Sequence, residues 1–109
     1  MTVASGAEHL VRKIDLDPRT AAQLAELFSM LGDVSRLRII AALNGGEANV
    51  TELAQAIDLS HSAVSHHLRT LRQMRLVRAR KEGRYVYYAL DDEHVEDLFR
   101  RGVEHVKHG

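Results

Sequence analysis

The sequence of 109 residues predicts an α+β fold that is mainly α, with four helices, a β-hairpin and a final helix. Three observations predict it. Apolar residues recur at helical spacing up to about residue 71, alternate between residues 76 and 90, and return to helical spacing after residue 91. The length fits one domain, so we expect residues 1–17 to form a flexible arm and residues 18–109 a single domain.

Helix start and stop signals delimit the first two helices. Pro18 suits a first helical turn, apolar residues follow at helical spacing as far as Leu31, and Gly32 ends the run. Asp33 is expected to cap the second helix, which residues 44–46 (Asn-Gly-Gly) close. The apolar positions predicted for the second helix are Val34, Leu37, Ile40 and Leu43.

The next two helices are short and lie close together in the sequence. Asn49 and Glu52 have the spacing of a capping box, which opens the third helix. Asp58 and Leu59 form a tight connection, after which Ser60 is expected to cap the fourth helix. The inward positions predicted for this pair of helices are Val50, Leu53, Ala54, Ile57, Val64, Leu68 and Leu71.

A two-residue period then replaces the helical one. Residues 76–80 and 84–90 read as two strands, with a turn near residues 81–83. Val77 and Ala79 alternate with arginines, as a half-exposed hairpin requires. Asp91 or Asp92 begins the last helix. Its predicted apolar face contains Val95, Leu98, Phe99, Gly102, Val103 and Val106.

Composition excludes several classes of function. The chain has no cysteine, which excludes disulfides, thiolate metal sites and thiol redox sensing. No apolar run approaches the roughly 18–20 residues needed to span a bilayer, and no secretory signal is visible, so we expect a cytoplasmic protein. The formal net charge is zero, yet residues 69–84 hold seven basic residues against one acidic residue. Because phosphate attraction depends on the local field, this segment is compatible with nucleic-acid binding.

Two short helices joined by a tight turn and followed by a basic hairpin form a helix-turn-helix with a wing. The second helix of the pair would enter the major groove, and the hairpin would meet the flanking backbone of double-stranded DNA. His61, His66 and His67 are expected to be DNA or surface contacts. The predicted DNA-contacting residues are Ser60, His61, Ser62, Ser65, His66, Arg69, Arg80, Lys81 and Arg84. The alternative is a winged helix used only for protein contacts.

The last predicted helix carries four side chains that are typical metal ligands. A D-x-H pattern stands at its start and an H-x-x-H pattern at its end, giving Asp92, His94, His105 and His108. His94 and His105 would lie about 20° apart around the helix but about 16 Å apart along it, too far to share one ion. Two copies packed antiparallel through the apolar face would instead form two symmetric sites. Three imidazoles and one carboxylate suit Zn(II) or Co(II).

Other interpretations of these residues stay open. Asp92 is also favourable at a helix N-terminus, and histidines are common on exposed helix surfaces. Arg101 lies on the same strip between the two patterns, where Asp97 would hold it as a helix ion pair. His9, in the arm, would add a ligand if the metal were one of higher coordination number, such as Ni(II).

Two functions other than a metal-responsive regulator are compatible with a winged helix that carries these residues. The first is a winged-helix transcriptional regulator that is not gated by metal. The second is a metal-dependent hydrolase, which is disfavoured because four protein ligands would close a tetrahedral site and leave no position for a catalytic water. The sequence also lacks a nucleophile–base pair and a phosphate-binding loop, so we expect no enzymatic activity.

From about residue 20 onwards the chain resembles the ArsR/SmtB family of metal-sensing transcriptional repressors. The resemblance rests on LGDVSRLRIIAAL, on SAVSHHLRTLR followed by LVRARKEGRYVYYAL, and on DDEHV with HVKH. It implies a winged helix-turn-helix with N- and C-terminal dimerisation helices. Likeness to the zinc- and cobalt-responsive branch implies Asp92, His94, His105 and His108 as ligands. The tail departs from the family pattern, because His108 is the penultimate residue.

The resemblance also implies a mechanism. The metal-free homodimer would bind an operator upstream of an efflux or sequestration gene, and metal would weaken that binding. The second ring nitrogen of His105 would donate to a backbone carbonyl near Arg75, at the end of the DNA-reading helix. Coupling of this kind is reciprocal, so DNA would lower metal affinity by the same factor.

Overall fold

The computed structural model of the chain describes residues 14–109, and the predicted order of elements is confirmed. The residues before 14, with His9 and most of the predicted arm, lie outside the described residues. Among those described, no helix is both long and apolar enough to cross a membrane. The elements are α1 (Pro18–Leu31), α2 (Val34–Leu43), α3 (Val50–Ile57), α4 (His61–Gln73), β1 (Val77–Glu82), β2 (Tyr85–Leu90) and α5 (Glu93–His108).

The predicted caps are present at the starts of α2, α3 and α4. The Asp33 carboxylate accepts the Arg36 N–H at 2.9 Å. Asn49 and Glu52 each accept the other's backbone N–H at 2.9 Å, which is the reciprocal capping box. The Ser60 hydroxyl accepts the Ala63 N–H at 3.1 Å. These local hydrogen bonds explain why short-range spacing alone located the helix starts.

The buried core lies where α2, α3 and α4 meet the base of the hairpin. It contains Ile39, Ile40, Leu43, Leu53, Ala54, Ile57, Val64, Leu68, Leu71, Leu76, Val77 and Leu90. The predicted inward positions of α3 and α4 are buried, apart from Val50, which is partly buried. Of the apolar positions predicted for α2, Ile40 and Leu43 are buried together with Ile39, whereas Val34 is 75% exposed and Leu37 is 38% exposed. This helix has two apolar faces, of which only one packs on the core.

The second face of α2 belongs to an open apolar groove. The groove lies between α1, α2 and α5 and is lined by Phe28, Leu31, Val34, Leu37, Ile40, Ala41, Leu76, Val95, Leu98, Phe99, Gly102, Val103 and Val106, with Arg38 and Lys107. The apolar face predicted for α5 therefore lies along it, although no residue of α5 is buried in the single chain. Val106 is 79% exposed and Phe28 is 54% exposed.

The hairpin is longer on its first strand than predicted. The register pairs Val77 with Leu90 and Glu82 with Tyr85, so only Gly83 and the residue after it form the turn. The turn was predicted near residues 81–83 and lies at Gly83 and Arg84, because Lys81 and Glu82 belong to β1. Gly83 has φ of 62°, a conformation that two-residue hairpin turns use and glycine adopts without strain.

A single backbone bridge attaches the segment before α3 to the hairpin. Ala48 donates its N–H to the Tyr88 carbonyl at 3.0 Å and accepts the Tyr88 N–H at 2.8 Å. This contact spans 40 positions of sequence and has no local signal. It places the residues just before Ala48 beside the wing.

Candidate DNA-binding and metal-binding surfaces

Helix α4 presents its polar face to solvent and its apolar face to the core. Val64, Leu68 and Leu71 are each at most 1% exposed and fix the helix against α2 and α3. Asp58 adopts a left-handed conformation at the end of α3, with φ of 54°, and turns the chain into α4 within two residues. Five of the predicted DNA contacts therefore share one exposed surface: Ser60, His61, Ser62, His66 and Arg69. Ser65 is half-buried at the edge of this surface.

His67 differs from the other histidines of this helix. It is half-buried, and its Nδ1 atom is shielded from solvent without a hydrogen-bond partner among the described residues. Its ring lies near the start of α2. The Arg36 N–H lowers the pKa of Asp33 most, and the charges of Arg36 and His67 lower that pKa further. The Nδ1 side of His67 therefore faces the protein and not a ligand surface.

The wing holds Arg80 in a network of acidic side chains. Its Nε and Nη2 atoms donate to the two carboxylate oxygens of Glu47, at 3.0 and 2.9 Å. Its Nη1 atom donates to Glu82 at 2.9 Å, and the guanidinium lies 5.2 Å from the ring centre of Tyr87. The hydrogen bond from Arg80 lowers the pKa of Glu47. Sequence reasoning did not find this network, since Arg80 and Glu47 are 33 residues apart.

The other predicted wing cations, Lys81 and Arg84, are also exposed to solvent. Lys81 and Arg84 lie near and in the turn, and no ion pair is formed by either within the described part of the chain. The Arg84 guanidinium lies 6.0 Å from the ring centre of Tyr85. The structure therefore separates the three cations into two that are free and one, Arg80, that is bound to carboxylates.

Arg78 connects the wing to the last helix. Its Nη1 atom donates to the carbonyl oxygens of Leu90, at 2.8 Å, and Asp91, at 2.5 Å. Both acceptors precede the start of α5. The base of β1 is thereby tied to the chain segment that positions the D-x-H pattern.

Asp92 and His94 come together at the start of α5. One oxygen of Asp92, Oδ1, accepts the Val95 N–H at 3.1 Å and caps the helix. The other, Oδ2, lies 3.5 Å from Nδ1 of His94, whose side chain is 93% exposed. The Val95 hydrogen bond lowers the pKa of Asp92 most, and His94 lowers it further. A carboxylate oxygen and an imidazole nitrogen thus face the same side, which fits half of an N/O metal site.

His105 and His108 lie in the last turn of the same helix, and both are exposed. Within residues 14–109 of one chain, no group of three or more candidate ligands lies close enough to hold an ion. The two halves of the predicted set are therefore at opposite ends of α5. Between them Asp97 binds Arg101 at 3.0 Å, which is the expected ion pair, and also binds Arg100 at 2.6 Å.

Comparison with known sequences identifies related proteins. The profile of the arsR family of bacterial regulatory proteins matches residues 33–79, which extend from the start of α2 into β1. A transcriptional repressor SmtB homolog of Synechocystis is 52% identical over 87 residues, covering 80% of this chain and 66% of that protein, just under two thirds of its length. The transcriptional regulator NmtR of Mycobacterium tuberculosis is 43% identical over 93 residues, covering 85% and 78%.

A solved structure extends the likeness to the fold. The solution structure of apo-NmtR has a TM-score of 0.75 and 40% identity, covering 93% of this chain and 89% of that one. A further relative has a different role in its name: the transcriptional activator HlyU of Vibrio cholerae is 36% identical over 80 residues, covering 73% of this chain and 74% of that protein. These relatives are regulators of transcription and not enzymes.

Proposed function

The chain belongs to the ArsR/SmtB family of bacterial regulatory proteins, and we propose that it is a metal-responsive repressor whose metal-free homodimer binds operator DNA and releases it when Zn(II) or Co(II) binds. Winged-helix regulators of this family bind operator DNA as homodimers. The observation that carries the metal-responsive part is the pairing of Asp92 with His94 at one end of α5, with His105 and His108 at the other.

DNA binding is assigned to the exposed face of α4 and to the wing. The polar side chains near the start of α4 would read base edges, and the helix N-terminus would favour a phosphate. Lys81 and Arg84 are free to meet the flanking backbone. Arg69 supplies a further cation on the α4 surface.

Dimerisation would complete the metal sites. The apolar groove offers a continuous surface to a second copy, since most of its lining is apolar and much of it is exposed. If the α5 helices of two copies cross antiparallel there, Asp92 and His94 of one chain meet His105 and His108 of its partner. Bound metal would crosslink the two helices through three nitrogens and one oxygen.

His105 is the residue that would link such a site to DNA. Arg75 follows α4 in a left-handed conformation, with φ of 59°, and its carbonyl accepts no hydrogen bond within the described part of the chain. Leu76, the next residue, lines the same groove as Val103 of α5. A hydrogen bond from His105 to that carbonyl would bias the orientation of α4, and the coupling would be reciprocal.

A heterodimer experiment tests the shared sites. One chain would carry Asp92→Asn with His94→Ala, and the other His105→Ala with His108→Ala. Each homodimer should lose high-affinity zinc binding, because every site lacks one half. The purified heterodimer should regain one site per dimer, because one site is then intact and the other lacks all four ligands. Failure to regain zinc binding, with the dimer intact by sedimentation, would exclude sites that cross the interface.

The alternative is a regulator that is not gated by metal, and the likeness to the activator HlyU favours it. Titration of the metal-free protein with Zn(II), followed by fluorescence anisotropy of labelled operator DNA, separates the two functions. The proposed repressor should release DNA as its two sites fill. Unchanged operator affinity at saturating zinc would support the alternative.

A further inference from the structure

The charge around Arg80 differs from the basic wing that the sequence predicts. Each of its three guanidinium nitrogens donates to a carboxylate, two of them to Glu47 and one to Glu82. One positive and two negative charges leave this cluster with a net charge of −1. A DNA phosphate that approached Arg80 would therefore meet an acidic cluster and not a free cation.

The backbone holds Glu47 in this position. Ala48, the residue after Glu47, is fixed against β2 by its paired hydrogen bonds with Tyr88. Tyr87, the neighbour of Tyr88 on β2, pairs with Arg80 in the β1–β2 register. The Tyr87 ring also lies under the guanidinium. Bidentate arginine–carboxylate geometry is the form of surface ion pair that persists best, above all when a second carboxylate joins it. The contact is therefore a built part of the wing and not a chance encounter of two long side chains.

We propose that Glu47 is a positioning residue that withholds Arg80 from the DNA backbone, so that the phosphate contacts of the wing come from Lys81 and Arg84. This inference depends on DNA binding but not on metal-driven release. Its consequence is a limit on sequence-independent affinity, because each cation kept from a phosphate releases one counterion fewer. A wing with three free cations per subunit would bind any duplex more tightly.

The salt dependence of DNA binding tests this inference. The metal-free dimer, kept with a chelator, would be titrated into a fluorescein-labelled duplex of random sequence at salt concentrations between about 50 and 200 mM. The variants are Glu47→Gln, Arg80→Gln and the double variant. Glu26→Gln, on the exposed surface of α1, is the control that removes one negative charge elsewhere.

Glu47→Gln should bind more tightly than Glu26→Gln and lose affinity faster with salt. One additional phosphate contact per subunit steepens the slope of log K against log salt by about 1.8 per dimer, which is an extra loss of about tenfold across that range. Arg80→Gln should have the same slope as the wild-type protein. The double variant should return to the wild-type slope, because the gain requires the released arginine.

Several results would overturn the inference. Equal slopes for Glu47→Gln and Glu26→Gln would show that Glu47 withholds nothing, and a flatter slope for Arg80→Gln alone would show that Arg80 already contacts phosphate. Circular dichroism checks folding; if Glu47→Gln unfolds, Arg80→Lys gives the second test, because lysine keeps the charge without the fork and should steepen the slope. Absence of DNA binding by every folded variant would overturn the DNA-binding role together with this inference.

Discussion

Asp92 illustrates how one residue can serve two purposes with its two oxygens. Oδ1 caps α5 and Oδ2 faces the His94 ring, so the proposed metal ligation would not compete with helix capping for the same atom. Arg80 is the opposite case, since all of its nitrogens are engaged by carboxylates. At the residue scale, the role of a side chain depends on which of its atoms are free.

Asp92→Asn and Asp92→Ala separate these two roles. Asparagine caps helices about as well as aspartate but is a poor metal ligand. Alanine can neither cap the helix nor bind a metal. We expect both variants to lose zinc affinity and only Asp92→Ala to lower the melting temperature. Zinc titration and thermal unfolding by circular dichroism measure the two effects. Retained zinc affinity in Asp92→Asn would remove Asp92 from the ligand set.

His105→Ala should abolish metal-driven release while leaving the operator affinity of the metal-free protein within a few fold. The operator affinity of the metal-free protein should be retained because His105 is exposed in the single chain and supports no core contact. Anisotropy titrations with and without zinc check this. A large loss of operator affinity without metal would mean that His105 is structural.

At the scale of elements, α4 packs on the core through its apolar face and presents its polar face, the proposed DNA-binding surface, to solvent. Leu68 is 1% exposed within the core, whereas Arg69, one residue later, is on the surface. The hairpin shows the same division, since Val77 is buried while Arg78 beside it is exposed. Neighbouring residues on one element therefore affect different properties of the protein.

Leu68→Ala and Arg69→Ala should separate stability from binding. Leu68→Ala should lower the free energy of unfolding by about 2–5 kcal/mol, as a buried leucine cavity does. Arg69→Ala should change it by less than about 0.5 kcal/mol and still weaken DNA binding. Urea unfolding at fixed protein concentration and DNA titration measure both. Equal DNA affinity of Arg69→Ala and wild type would remove Arg69 from the DNA surface.

At the scale of the whole molecule, the single chain is incomplete on one side. The apolar groove leaves α5 without a buried residue, and the two halves of the metal set are separated by the length of that helix. Both features are explained if the groove is the surface on which the homodimer forms. Operator binding, dimerisation and metal binding would then depend on one another.

Phe28→Glu should prevent dimerisation, because it places a charge on the groove wall, while Gln23→Glu puts the same charge on the same helix outside the groove. Phe28 is 54% exposed in the single chain, so the monomer should stay helical. We expect Phe28→Glu to sediment as a monomer and to lose high-affinity zinc binding. A stable dimer of this variant would place the interface elsewhere.

Acid should destabilise the folded chain through five carboxylates whose pKa values are lowered by hydrogen bonds and cations: Asp17, Asp33, Glu47, Asp92 and Asp97. Because each binds a proton more weakly when folded, stability is present above the unfolded values, about pH 4, and is lost as the pH falls through the lower folded values. Melting temperatures measured down that range should decline. A flat profile would contradict these ion pairs and caps.

The sequence determined what depends on near neighbours in the chain. Caps such as Asn49 with Glu52, the buried stripe of α4 and the two ligand patterns of α5 all follow from spacings of two to four residues. These features are set by helix geometry and local hydrogen bonds, which sequence spacing describes directly. The same reasoning placed the candidate DNA contacts on the exposed face of α4.

Only the tertiary structure decided which of two apolar faces of α2 is buried and which partner Arg80 takes. Val34 points to the groove and not to the core, and Glu47 reaches Arg80 because the Ala48–Tyr88 bridge folds that segment onto the wing. Such contacts join residues tens of positions apart, and their energy depends on the packing of whole elements. Periodicity carries no information about which distant charge a side chain will meet.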